Sequence, residues 1–196
     1  MTVPVDLNTW IISDPHFGHQ DIGKFCNRPP HWEEKIWVNW TAQVKPGATI
    51  LCLGDLEMRG NHRWAKMLLT SLTGRKLWVR GNHDKQKDQF YLDCGFEEVG
   101  KSFGRVTEYD ITPGGEPYEN TVENYGFYWH GPDGKRILFS HYPDVWRLDW
   151  SLNIHGHIHN NPPSPRVQEQ MAEGKIYRNV SVEVIDYAPV RLRDLL

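Results

Sequence analysis

Apolar residues fall into short runs, each broken by a small, turning or polar residue. Thr9–Ile12, Thr49–Leu53 and Leu77–Val79 predict buried strands. Between the first two, Trp32, Ile36, Trp40 and Val44 recur at every fourth position, so 31–44 reads as an amphipathic helix. Glu33 and Glu34 suit the start of its dipole, and Pro46-Gly47 ends it. Trp64, Leu68 and Leu72 repeat the spacing behind a candidate cap at Asn61. A further helix is expected up to about Cys94, closed by Gly95. Strands alternating with helices predict an α/β fold.

The second half changes character. Phe103–Thr112 predicts a strand, Pro113-Gly114-Gly115 a turn, 116–124 a polar segment, and 125–129 a resumed strand. Pro132-Asp133-Gly134-Lys135 signals a hairpin turn before a strand at 136–139. Ser151–Ile154 opens another strand, 166–173 a short helix, and 176–185 a last strand. In that strand Val180, Val182 and Val184 alternate with Ser181 and Glu183. No repeat or linker divides the chain, so 1–196 is expected to be one domain with a hairpin or lid at 104–130. The aromatic run Tyr125, Phe127, Tyr128, Trp129 would then be placed to stack on a base.

Composition narrows the classes. A net charge of -3 argues against an extended duplex nucleic acid as partner. Three scattered cysteines make neither a disulfide framework nor a cysteine zinc site, which suits a reduced, cytoplasmic setting. No signal peptide or membrane-spanning run is visible, so no membrane partner is expected.

The chemistry collects where apolar runs end. Asp14 and His16 follow the first run, Gly54-Asp55 the second, and Gly81-Asn82-His83-Asp84 the third. His141 follows 136–139, and Gly156-His157-Ile158-His159 follows the next strand. His155, His157 and His159 would share one face for as long as that strand stays extended. Sites in open α/β sheets form beyond the carboxyl ends of strands, and imidazole with carboxylate suits a divalent metal. One such coincidence also fits a turn or a polar loop, since Asp-Pro is a common turn opener. Five in one chain favour a site.

With Asp14-Pro15-His16, Gly54-Asp55, Gly81-Asn82-His83-Asp84, His141-Tyr142-Pro143 and Gly156-His157-Ile158-His159 in this order, the chain resembles the calcineurin-like metallophosphoesterase family over almost its whole length. It is most similar to a small bacterial and bacteriophage-type branch, through its Asp-x-His-Phe-Gly-His start, its Asn-Arg-Pro and its Asn179-Val180-Ser181-Val182-Glu183 ending. The resemblance implies a β-sandwich flanked by helices, with a two-metal site at the carboxyl ends of the strands. It implies one ion on Asp14, His16, Asp55 and His159, and a second on Asp55, Asn82, His141 and His157, bridged by Asp55. His83 matches the catalytic histidine that approaches the phosphate without holding metal. Pro15 departs from the usual Thr, Leu or Ile, and Glu57-Met58 follow Asp55 where some members carry a second Asp.

Such a centre generates a bridging hydroxide for in-line attack on a phosphoester. Manganese is the first expectation, with iron, zinc, cobalt or nickel as alternatives. His83 is free to stabilise phosphoryl oxygens or to protonate the leaving oxygen. Arg28 is a candidate for holding a phosphate oxygen, with a salt bridge as the equal alternative. His19 is a candidate for orienting a ligand, and Asp84 for orienting His83 or capping a helix. His155 reads as structural, and His31, His62 and His130 as surface or packing residues. Two divalent ions less two carboxylates and a hydroxide leave one positive charge, which matches a diester monoanion. The expected substrate is therefore a small, nucleotide-like phosphodiester, cyclic nucleotides included. A phosphomonoesterase, a nucleotide pyrophosphatase and a non-catalytic metal-containing scaffold are the alternatives.

Overall fold

Parallel strands need long crossovers, and the first half of the chain supplies helices for them. The computed structural model describes residues 4–58, 60–111, 117–147 and 149–196, and for 106–111, 117–120 and 122 the backbone alone. Strands β1 (Trp10–Ile12), β2 (Thr49–Cys52) and β3 (Arg75–Trp78) pair in parallel. Helices α1 (Ile22–Phe25) and α2 (Trp32–Gln43) make the first crossover, and α3 (His62–Ser71) the second. Helix α4 (Asp88–Asp93) leads to β4 (Phe96–Glu98), parallel to β3. The chain then builds a second sheet from β5 (Lys101–Ile111), β6 (Pro117–His130), β7 (Arg136–Ser140) and β8 (Leu152–His155). Helix α5 (Pro165–Ala172) precedes its last strand, β9 (Ile176–Asn179). The chain returns to the first sheet as β10 (Val190–Arg191), antiparallel to β1. The orders are β10-β1-β2-β3-β4 and β5-β6-β7-β8-β9, so both sheets are mixed.

Each buried strand has two faces to cover. Ile11, Leu51, Leu53, Leu77 and Val79 meet Phe127, Ile137, Phe139, Leu152 and Ile154 between the sheets. The other face of the first sheet packs under α2 and α3 through Ile36, Trp40, Val44, Leu68 and Leu72. On the outside of the second sheet, Val167 of α5 packs with Leu138, Trp150 and Tyr177. Each such aliphatic side chain contributes ~1.5–3 kcal/mol by leaving water. The result is an α/β sandwich with helices on its outer faces. Among the described residues no helix is long and apolar enough to cross a membrane.

Several expectations change. Trp64 is not on the buried stripe of α3; it is 40% exposed and donates its indole N–H to Glu33. Asn61 does cap that helix, accepting the Trp64 N–H at 3.0 Å. The polar segment 116–124 is mostly strand, because β6 starts at Pro117. The turn at Pro113-Gly114-Gly115 lies outside the described residues. From Arg105 to Ile111, β5 pairs only with β6, whose own pairing with β7 begins at Gly126. Among the described residues that part is a two-stranded ribbon. The aromatic run divides between two cores. Tyr125, Phe127 and Trp129 face the space between the sheets, and Tyr128 packs outside with Phe103. Strand β9 stops at Asn179, so the alternation at 180–184 is not a strand pattern. Val180 and Val182 are buried, but so is Ser181, while Val184 is 50% exposed.

Candidate metal centre

Five strand ends, from β1, β2, β3, β7 and β8, deliver Asp14, Asp55, Asn82, His141 and His157 to one rim of the sandwich. The backbone there is unusual. Asp14 (φ 59°), His16 (52°), Asp55 (55°), His157 (69°) and His159 (51°) all lie in the left-handed region. For residues with a Cβ this costs ~1–3 kcal/mol each, so the surrounding contacts must impose it. The loops also approach more closely than side chains allow. A Cβ at Gly81 would lie 2.1 Å from Asp55 Oδ1, and one at Gly156 would lie 2.0 Å from Ser13 Oγ and 2.4 Å from Asp14 Oδ2.

Asp55 sits in the middle. Its Oδ1 accepts the His83 N–H at 2.8 Å. Its Oδ2 lies 3.5 Å from His16 Nε2 and 3.4 Å from His141 Nε2. Both carboxylate–imidazole distances are within ion-pair reach, yet Asp55 Oδ2 makes no hydrogen bond. Asp14 Oδ1 and both ring nitrogens of His16 are likewise buried without a hydrogen-bond partner. Orphaned acceptors in a dry site are costly unless a cation meets them. Among the described residues three groups each have donor atoms within 4.8 Å of one another: Asp14, His16 and His159; Asp55, His141 and His157; and Cys26, His159 and Glu183, in which Glu183 already faces His159 Nδ1. These His/Asp groups fit a divalent metal site.

His141 makes the same point. Its Nδ1 lies 2.7 Å from the Leu53 carbonyl and so carries the proton. Its Nε2 then faces Asn82 Oδ1 at 2.8 Å, acceptor against acceptor unless a proton or metal lies between them. Burial disfavours charge on this ring, but Asp55 outweighs it and pushes its pKa up to about 9. Burial also opposes charge on Asp55, yet His141 and then His16 hold its pKa well below the carboxylate range.

The second circle of contacts is more informative than the sequence suggested. Asp84 neither caps a helix, since α4 begins at Asp88, nor hydrogen-bonds the His83 ring. Its Oδ2 accepts N–H groups from Asp55, Gly81 and the Trp78 indole, and its Oδ1 accepts the Leu56 N–H. It therefore fixes the turn that carries Asp55. Burial, then the nearby Asp55 charge, push its pKa up to about 7 against these donors. His19 accepts the Asp21 N–H, and its ring stands edge-on to that of His16 with the centroids 5.9 Å apart. His83 lies 5.5 Å from His16, ring to ring.

Arg28 is a correction. Its side chain is fully buried, with Nε on Glu183, Nη1 on the Pro15 carbonyl and Nη2 on the Asp14 carbonyl. A guanidinium so enclosed is not open to a substrate phosphate. His155 ends β8 with its ring against Tyr177, and beyond it Gly156 breaks the extended register expected for the three histidines. His62 pairs with buried Glu57 at 2.8 Å.

Two residues were missed by the sequence reading. Ser181 Oγ donates to Asp14 Oδ2 at 2.9 Å, and Glu183 accepts from His159 Nδ1 at 3.1 Å. Strand alternation had put both on an outer face. The run Asn179–Glu183, singled out through the resemblance, was the signal available.

The family described as Calcineurin-like phosphoesterase matches residues 7–161. An uncharacterized protein of Methanocaldococcus jannaschii, MJ1445, is 31% identical over 193 aligned positions, which cover 93% of this chain and 86% of that protein. The crystal structure of AQ665, a protein of unknown function from Aquifex aeolicus, superposes with a TM-score of 0.64 at 26% identity, covering 95% of this chain and 96% of that one.

Proposed function

The chain belongs to the calcineurin-like phosphoesterase family, and from that premise we propose that it is a two-metal phosphodiesterase acting on small, nucleotide-like diesters. The observation that carries this reading is the buried Asp55 Oδ2, which makes no hydrogen bond yet lies within ion-pair reach of both His16 and His141. A short carboxylate so placed suits two cations ~3.5–4 Å apart. Asp14, His16, Asp55 and His159 would hold one ion, and Asp55, Asn82, His141 and His157 the other, with manganese the first candidate. When bound, such ions supply a hydroxide at neutral pH and neutralise charge on the phosphoryl group.

The protein's own groups do the rest. The His83 backbone N–H orients Asp55 Oδ1, so this residue also holds the bridging carboxylate in place. Its half-buried ring, beside His16, is the group to meet a phosphoryl oxygen or the leaving oxygen. Because Arg28 is spent on Glu183 and two carbonyls, it adds no positive charge for the second negative charge of a monoester. That supports a diester over a monoester.

The test is kcat/KM for bis(p-nitrophenyl) phosphate against p-nitrophenyl phosphate, with saturating manganese at neutral pH. The expected result is a diester preference. A clear monoester preference would move the reading to a phosphomonoesterase or nucleotide pyrophosphatase. No turnover of either, with two ions bound, would leave a metal-containing scaffold.

A further inference from the structure

Arg28 and Glu183 are 155 residues apart in sequence and form an ion pair at 2.7 Å. Their side chains are 0% and 3% exposed. Removing two charges from water is costly unless hydrogen bonds meet their remaining directions. Here they are met by the site itself. Arg28 Nη2 donates to the Asp14 carbonyl at 2.7 Å and Nη1 to the Pro15 carbonyl at 2.8 Å. Trp32 covers the guanidinium, its ring centroid 4.4 Å away. Those two carbonyls belong to the loop in which Asp14 and His16 are left-handed.

Glu183 works on the opposite loop. Its carboxylate oxygens lie 3.1 and 3.2 Å from His159 Nδ1. A ring N–H given to a carboxylate fixes the tautomer, and it turns the Nε2 lone pair outward. One buried ion pair thus reaches both loops of a single donor group, Asp14, His16 and His159. The Asp55, His141 and His157 group receives none of these contacts; its supports are Asp84 and the Leu53 carbonyl. The groups are joined by the His157 N–H on Asp14 Oδ2, by the His16 N–H on the Asp55 carbonyl at 2.9 Å and by the Asp14 N–H on the Gly54 carbonyl at 3.1 Å, while Ser181 holds Asp14 Oδ2 independently.

We infer that Arg28 and Glu183 are positioning residues, a buried clamp that presets one of the two metal positions and leaves the other alone. The inference rests on the two-metal reading above. It concerns how the site is held and not what it hydrolyses.

The experiment titrates manganese by calorimetry into the full chain freed of metal by chelation. Wild type is compared with Glu183→Gln and with the double variant Arg28→Gln/Glu183→Gln. The double variant leaves no buried charge unpaired, so it serves if the single variant does not fold. Wild type should take two ions. Each variant should keep one at wild-type affinity and bind the other ~10–100-fold more weakly. A residue with only a structural role would weaken both ions together or neither, and either result overturns the clamp. A second readout needs neither metal nor variant. In the nitrogen-15 spectrum of the metal-free wild type, His159 Nδ1 should carry a proton in a hydrogen bond, whether the ring is neutral or an imidazolium. A ring whose Nδ1 is unprotonated overturns the inference. If wild type binds no manganese, the metal reading falls, and the clamp is decided by that spectrum alone.

Discussion

Around Asp55, His141 and His157, support comes mostly from the strand ends that carry the donors: Leu53, Gly81 and Asp84 lie within three residues of Asp55, Asn82 or His83. Around Asp14, His16 and His159 the Asp14 and His16 N–H groups bond the Gly54 and Asp55 carbonyls, and the side-chain support comes from Ser181, Glu183 and Arg28, which belong to no ligand motif. The first group is held by neutral backbone groups, the Leu53 carbonyl accepting and several N–H groups donating, and by one many-handed carboxylate. The second is held by a buried charge pair. A backbone-held group survives changes elsewhere in the chain, whereas a charge-held group fails when either partner is lost.

The largest effect should come from the atom common to both groups. Asp55→Asn removes the charge between His16 and His141, and two cations there would repel each other. Activity should fall by about 10³-fold or more, and elemental analysis should find most metal gone. Two ions still tightly held in the mutant would break the comparison, because Asp55 would then not join the groups.

His83→Ala should come next. It leaves the backbone N–H on Asp55 Oδ1 intact, so both ions should remain. Rates should fall by ~10²–10⁴-fold for ribose alkoxide leaving groups and by less for aryl esters, which leave without a proton. Equal losses would assign the ring to holding phosphoryl oxygen.

A smaller effect on turnover, but a plain one on stability, is expected at Asp84. Asp84→Asn puts an amide among four N–H donors: one loses its acceptor if the amide oxygen takes the Oδ2 place, and three if it takes the Oδ1 place. The cost is about 2–4 kcal/mol, readable by denaturant unfolding of the metal-free protein. An undiminished midpoint would show that the Asp55 turn holds itself, and the contrast with the Arg28–Glu183 side would lose its basis.

The same contrast explains what was legible. Candidate ligands at strand ends follow a local rule, an apolar run and then a turn, so Asp14, Asp55, Asn82, His141 and the 157–159 cluster stood out in order. The left-handed backbones of His157 and His159 explain why extended periodicity failed beyond His155: the strand ends there and the loop re-aims each imidazole. Glu183 and Arg28 follow no local rule. A buried charge pair across 155 residues leaves no periodic trace, and Glu183 mimicked the polar face of a strand. The ribbon was misread as well. Among the described residues, Arg105–Ile111 and Pro117–Glu123 pair with each other alone, and 117–123 is extended although it reads as polar.

That ribbon gives the smallest expected effect. The cut must respect what the base of the hairpin does. Asn124 is buried and accepts the Tyr142 N–H at 3.5 Å, and the Tyr125 carbonyl accepts the His141 N–H at 3.2 Å. Residues 123–126 therefore brace the strand end that carries His141, and trimming into them would disturb the centre for reasons unrelated to substrate. Thr107 and Thr121 face each other across the ribbon, so removing 108–120 and joining them through Asn-Gly keeps the register below. With that cut, metal content and kcat/KM for bis(p-nitrophenyl) phosphate should stay within about twofold, since no described donor of the site lies in the removed part. If the ribbon contacts substrate, KM for nucleotide diesters should rise several-fold while the aryl diester is spared. Equal responses of the two substrates would leave the ribbon with no part in recognition, and would place specificity on the rim formed by the ligand loops themselves.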